Sequence, residues 1–474
     1  MYKKLIHATL LALVTLCATA FSDLAHADDG VNVVVNGVHV DFDGQTPLLE
    51  QNRTLVPLRG VFETIGFVVG WDEHYSTATL SSTSFTVTIT ADSDVFYTNG
   101  IRHVSEIPAQ IIGGRVMLPL RAAMESIGYD VIWSAITRTI YIDSPRQVRT
   151  LAGMGTHGYN DGRIAQFNLP AGIFSDGEGT IFVADTYNNL IRRISPDGNV
   201  TTFAGEIQGN DEYGFPLGRY RAGALSQALF NRPTAGVAID GAMFIADSGN
   251  HIIRRIENNN VSTFATETGE SGGDSDMLYL PTALAVATCG SIYFTDTLNH
   301  VVRRIGTDGN VTTVAGVPGE YGYHNGTDAL FNSPMGIAVA ENGMIFVADT
   351  GNHLIRVIEN GSVRTFAGTF RTSPDFDNEP YGDFADGFNA AFNLPVGLAL
   401  WGNNLIVADS ANHRIRVIMP TGETVTLAGT GYPDATDGAA NVAAFHLPRG
   451  VYVLGDLLYI ADTGNNLIRV MPLN

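Results

Sequence analysis

Six aspartates in this chain are each followed by an asparagine three residues later and an arginine seven later. The sets are Asp185, Asn188 and Arg192; Asp247, Asn250 and Arg254; Asp296, Asn299 and Arg303; Asp349, Asn352 and Arg356; Asp409, Asn412 and Arg416; and Asp462, Asn465 and Arg469. A carboxylate, an amide and a guanidinium at fixed spacing can anchor a substrate or steer a proton, but one active site has no use for six copies. The repetition points to a structural role. An aspartate closing a strand and an asparagine in the following turn suit local backbone hydrogen bonds, with a left-handed residue at that turn. The arginine, on a strand pressed between layers, needs an acidic partner, and the aspartate of its own repeat is the nearest.

The elements that hold these residues follow from the runs around them. A proline stands fourteen or fifteen residues before each aspartate: Pro170, Pro233, Pro281, Pro334, Pro395 and Pro448. Each copy contains four short apolar runs, such as "AGIFSD", "TIFVAD", "LIRRIS" and "VTTFAG", separated by turn residues. These are strands joined mainly by tight hairpins, and small antiparallel sheets recurring at about 50 residues are propeller blades. The sixth copy stops after three strands, while "VRTLAG" near residue 150 has no first three strands of its own. The expectation is therefore that 149–153 pairs beside 467–471 and closes the ring.

The phrases "VADTGNHLIRVI", "PMGIAV" and "VTTVAG" carry a resemblance to the NHL repeat family, covering the chain from about Arg149 onward. It implies a mainly β fold, a six-bladed β-propeller over 146–474. NHL propellers serve in enzymes, in extracellular sensors and in binding proteins, so the resemblance leaves function open. Peptide-amidating lyases of this kind place metal-binding histidines directly after the repeat proline. Here those positions hold Ala171, Thr234, Thr282, Met335, Val396 and Arg449, so that ligand set is absent. His251, His300, His353 and His413 follow the repeat asparagine in copies two to five, where a ring would spread them apart rather than gather them on one ion. A lactone hydrolase would need acids at the channel, and the inner runs offer almost none.

The better place for a site is the long loops that enter the inner strands, on the same face as the Asp/Asn turns. One carries Asp375, Asp377, Glu379, Asp383 and Asp386 against Arg371, and another carries Tyr321 and Tyr323. Acidic, aromatic, glycine-rich loops suit a protein, peptide or carbohydrate ligand, and calcium is the one ion they would suit. The sequence calls for no other cofactor, and no metal ligand set is identified. Gly153, Gly155 and Gly158 match a dinucleotide fingerprint in form, but no helical pattern follows them.

Residues 28–145 hold an independent duplication. "RTLVPLRGVFETIGFVVGW" from Arg53 recurs as "RVMLPLRAAMESIGYDVIW" from Arg115. Each copy reads as a strand, a short helix after the proline, and further strands. The segment resembles the N-terminal, stalk-like α+β domain of copper amine oxidases, with 143–148 as linker. The oxidase chemistry is not implied, because neither the tyrosine context of its quinone nor a His-x-His pair is present.

Residues 1–27 read as an export signal: Lys3 and Lys4, an apolar run, then Ala25-His26-Ala27. Leu16 before Cys17 disfavours a lipoprotein site. Removal of the leader takes away both lysines and leaves Cys289 as the only thiol, so no intramolecular disulfide can form. The net charge of −21 disfavours nucleic acid and anionic lipid as partners, and no later run is apolar enough to span a membrane. The reading is an exported extracellular or cell-wall-associated binding scaffold, with the N-terminal domain contacting the wall and the loop face holding a ligand. The rivals are a metal-dependent propeller lyase or lactone hydrolase, and an extracellular sensing module.

Overall fold

The computed structural model describes residues 31–473 except 37, 43, 51–52, 83–84, 135–137, 145, 267–276 and 374–378. The expected leader, Asp375 and Asp377 lie outside the described residues. The chain divides into two compact units, Met1–Pro145 and Arg146–Asn474. It is mainly β, with two α-helices among the described residues.

The first unit shows its duplication in space. Arg53–Pro57 and Arg115–Pro119 pair antiparallel, with Leu118 opposite Val56, and each runs straight into a helix, α1 (Leu58–Thr64) and α2 (Leu120–Ser126). The proline that ends each strand has the fixed φ suited to a helix start, so the same residue closes one element and opens the next. α1 buries Leu58, Val61 and Phe62, and α2 buries Leu120, Ala123 and Met124, in one core with Val33, Leu80, Val87 and Ile142. Asn32–Val35 pairs parallel with Thr139–Asp143, tying the start of the unit to its end.

The second unit is six sheets, here numbered I to VI. Their innermost strands are Ile173–Ser175, Pro233–Ile239, Pro281–Val286, Gly336–Val339, Pro395–Trp401 and Gly450–Leu454. Each inner strand neighbours the next, and the strand of sheet VI neighbours that of sheet I, a propeller-like arrangement. Glycines set how closely they approach. A Cβ on Gly336 would lie 1.8 Å from the carbonyl oxygen of Val396, and one on Gly450 would lie 2.0 Å from that of Ala171. Gly172, Gly336, Gly397 and Gly450, two residues after the repeat proline in sheets I, IV, V and VI, are thus required by packing across the ring, whereas sheets II and III carry Ala235 and Ala283 there. The core sits between sheets in six clusters, one for each adjacent pair. Phe174 and Ile191 of sheet I pack with Ile245 of sheet II and Phe230 of its entering loop, and Val183 of sheet I packs with Ala461 and Ile468 of sheet VI in a cluster around Phe167. Strands buried on both faces explain apolar runs that do not alternate.

Sheet VI takes strands from both ends of the unit. Gln147–Ala152 pairs antiparallel with Leu467–Pro472, Arg149 opposite Val470 and Thr150 opposite Arg469, and a short strand Gly438–Ala439 adds to its outer edge. The strand begins two residues earlier than the sequence pattern indicates, because Gln147 and Val148 pair with that extra strand. Regular structure therefore starts inside the segment expected to be linker.

Candidate functional site

In each second-unit sheet the second strand ends on the repeat aspartate and a single 3-10 turn follows, for example Thr350–Asn352 after Asp349. The carboxylate is then enclosed. Asp349 Oδ1 accepts the backbone N–H of Asn332 at 2.7 Å, and Oδ2 accepts Asn352 Nδ2 at 2.8 Å and Arg356 Nη1 at 2.7 Å. The same pattern recurs at Asp185, with Asn188 at 2.8 Å and Arg192 at 2.7 Å, and at Asp247, Asp296, Asp409 and Asp462 with their own arginines. All six aspartates and all six arginines are buried. Burial pushes the carboxyls of Asp185, Asp349 and Asp409 up to about 6, against the pull of the facing arginine and the hydrogen bonds. Burial likewise raises Asp247, Asp296 and Asp462. These groups are closed to solvent and paired with one another, so the set clasps the fold.

One aspartate cannot satisfy a guanidinium with five donors, and the second partner comes from the entering loop. Arg192 meets Asp161 at 2.7 Å, Arg356 meets Asn325 at 2.7 Å, Arg416 meets Asp386 at 2.6 Å and Arg469 meets Asp437 at 2.5 Å. Asp386, one of the sequence candidates for ligand binding, uses its other oxygen to accept Thr426 at 3.0 Å, so both oxygens take part in anchoring a loop. The signal was present as Asp-Gly or Asn-Gly about 31 residues before the arginine, with the glycine at positive φ, 114° at Gly326.

The turn contains the expected left-handed residue. It is the residue after the asparagine: Asn189, His251, His300, His353, His413 and Asn466, all with φ between 55° and 60°. The asparagine itself closes the helical turn and uses its amide to hold the loop, Asn352 Nδ2 reaching Gly322 O at 2.8 Å. The left-handed residue joins sheets. His353 Nδ1 accepts the backbone N–H of Leu394 in sheet V at 3.0 Å, and His251, His300 and His413 accept Leu280, Ser333 and Leu447 in the same way. Asn189 and Asn466 do this with Oδ1, toward Arg232 and Leu169. The four histidines are therefore staples between adjacent sheets. Among the described residues no three His, Cys, Asp or Glu side chains are grouped to hold a metal ion.

The six loops start and finish at the end of the second unit that carries the six 3-10 turns, and the β-hairpins occupy the other end. Among the described residues of this unit, every exposed large apolar side chain belongs to an entering loop or a 3-10 turn. Of the tyrosines among them, Tyr213, Tyr321 and Tyr432 are the most exposed, at 76%, 62% and 77%, with Tyr159, Tyr220 and Tyr381 also exposed. Of the sequence candidates, Tyr321 lies against His300, whereas Tyr323 is stacked on Phe370 at 4.2 Å with its hydroxyl on Thr365. Asp383 pairs with Arg371, and its carbonyl takes Asn412 at 2.8 Å. Glu379 is exposed. Among the described residues, Asp383 and Asp386 are thus paired with different arginines, and aromatic rings stand on the loops.

Along the middle of the second unit runs a cavity of about 510 Å³, lined by the six inner strands and by Tyr187, Arg232 and Arg449 at the loop end. Thr234, Thr282 and Met335 at that mouth are tied to one another, Thr234 Oγ1 donating to Thr282 O at 2.8 Å and Thr282 Oγ1 to Met335 O at 3.2 Å.

Comparisons with known proteins accord with this architecture. A copper amine oxidase N-terminal domain model matches residues 34–142, and an NHL repeat model matches 331–358 and 392–418. NHL repeat-containing protein 2 of Homo sapiens is 29% identical over 347 residues, and that of Gallus gallus 30%, each alignment covering 69% of this chain. The chain spans 42% of the length of these curated relatives. An auxiliary nutrient binding protein from Bacteroides thetaiotaomicron superposes with a TM-score of 0.52 at 14% identity, covering 85% of this chain and 97% of that one. A protein of unknown function from the same organism gives 0.52 at 14%, covering 91% and 99%. At that identity the likeness shows the fold alone. The chain is thus mainly β and joins a copper amine oxidase N-terminal domain to a set of NHL repeats in a propeller-like arrangement.

Proposed function

We propose that this protein is a non-catalytic binding scaffold, a six-bladed propeller that presents its loop face to a peptide, protein or carbohydrate ligand. The observation that carries the reading is the concentration of exposed aromatic side chains on the entering loops, which the buried Asp/Asn/Arg clasps hold in place. Tyrosine offers large contact area with few rotatable bonds and a polar tip, which suits both sugar rings and peptides. The acidic composition favours neutral or basic ligands on these loops. One structural neighbour is an auxiliary nutrient binding protein, which agrees with a scaffold role without identifying a ligand. With residues 1–27 read as a leader, the scaffold works outside the cell, and the stalk-like domain makes contact with the wall. The test is binding to glycan and peptide arrays by wild type and by a Tyr213→Ser, Tyr321→Ser, Tyr432→Ser variant. Wild type is expected to retain at least one probe class that the variant loses by tenfold or more, about 0.5 kcal/mol or more for each ring removed. Equal retention by the variant overturns the loop-face reading.

A further inference from the structure

The central cavity is a second, separate site, and its lining selects a different ligand. In a chain with 48 acidic residues, none of the residues lining the cavity is acidic, and none is a histidine. The bore is formed by Ile173, Val237, Leu284, Ile337, Leu398 and Val451 with small residues between them. Its size falls within the range that encloses small ligands, about 300–1,000 Å³. At the loop end stand two arginines, Arg232 and Arg449, which flank sheet I from its two neighbours, sheets II and VI. Both side chains are exposed, and neither makes a salt bridge among the described residues. The Arg232 guanidinium lies over the Tyr187 ring, 5.1 Å from its centre, which holds one cation at the rim while leaving its edge donors free.

Toward the opposite end the lining stays uncharged, with Tyr452 and Ser175 as its polar side chains. The cavity is therefore apolar along its length and cationic at the loop end. A neutral hydrophobic ligand would gain nothing from the arginines, and a cation would be repelled by them. We propose that the cavity binds a small amphiphilic anion, with the apolar body in the bore and the carboxylate or phosphate head at Arg232 and Arg449. The planar guanidinium fork suits either head.

Isothermal titration of the full chain with octanoate, octyl phosphate and octanol tests this. One molecule of octanoate or octyl phosphate is expected to bind per chain, and octanol about tenfold or more weaker, as loss of charge-assisted hydrogen bonds implies. The tighter of the two anions then identifies the head group. Arg449→Ala should weaken the anion about tenfold and Arg232→Ala, Arg449→Ala together about a hundredfold, with unchanged thermal melts because both residues are exposed. The triple tyrosine variant should bind the anion as wild type does, so failure here and failure of the loop-face reading are distinguishable. Absence of anion binding, equal affinity for octanol, or a double arginine variant that binds normally would each overturn the proposal.

Discussion

At the scale of single residues, the aspartate–arginine pair shows how a buried charge is tolerated. Arg356 is enclosed, with Asp349, Asn325 and two carbonyl oxygens around it. Removing one partner of a buried pair leaves the other uncompensated, so Arg356→Ala should cost about 3–5 kcal/mol in urea unfolding at pH 7. The pH dependence follows from the direction of the shift. Asp349 is raised from its ordinary value to about 6 by burial, and loss of the arginine removes the attraction that opposes this. A raised carboxyl binds more protons folded than unfolded, so its contribution is present below the unfolded value and is lost as pH rises through the folded one. The deficit of Arg356→Ala should therefore be smaller at pH 5 than at pH 7, and an equal deficit at both would contradict a charged, buried Asp349. The pairing was legible because both residues recur at fixed spacing in all six copies. The second partner was not, since Asp161, Asn325, Asp386 and Asp437 sit in loops of unequal length that align only once the arginines are placed.

At the scale of elements, a single side chain beyond each 3-10 turn links one sheet to the next. Either imidazole Nδ1 or an amide oxygen does this, as His353 and Asn466 show. His353→Asn should accordingly stay within about 0.5 kcal/mol of wild type at pH 8, whereas His353→Ala leaves the Leu394 N–H without its acceptor and places alanine at φ 57°, at a cost of about 1–3 kcal/mol. An accepting Nδ1 requires the neutral ring, and burial lowers the His353 pKa from its ordinary value. A lowered histidine binds fewer protons folded than unfolded, so its contribution is present above the unfolded value and is lost as pH falls through the folded one. At pH 5, therefore, His353→Asn should unfold at higher urea than wild type, and the reverse order would contradict the staple. No local pattern marks this role, because the accepted N–H belongs to the next sheet. The left-handed residue follows the asparagine because the asparagine itself closes a full 3-10 turn.

At the scale of the whole molecule, periodicity made the sheets legible and irregularity hid the site. Each repeat meets the same neighbours, so proline, aspartate, asparagine and arginine return at the same places. Tyr213, Tyr321 and Tyr432 stand at different distances before their repeat arginines, and Arg232 and Arg449 line one mouth because sheets II and VI both adjoin sheet I. The two ends of the second unit differ in kind, one built of tight hairpins and the other carrying long aromatic loops, and a loop-face ligand depends on that difference. The most direct test is a hydrogen-exchange footprint of the full chain with and without its strongest array ligand. Protection is expected in 205–232, 316–334 and 429–448, with the hairpins 176–180, 240–241 and 455–456 unchanged; protection confined to the hairpins or to 31–143 would contradict a loop-face scaffold.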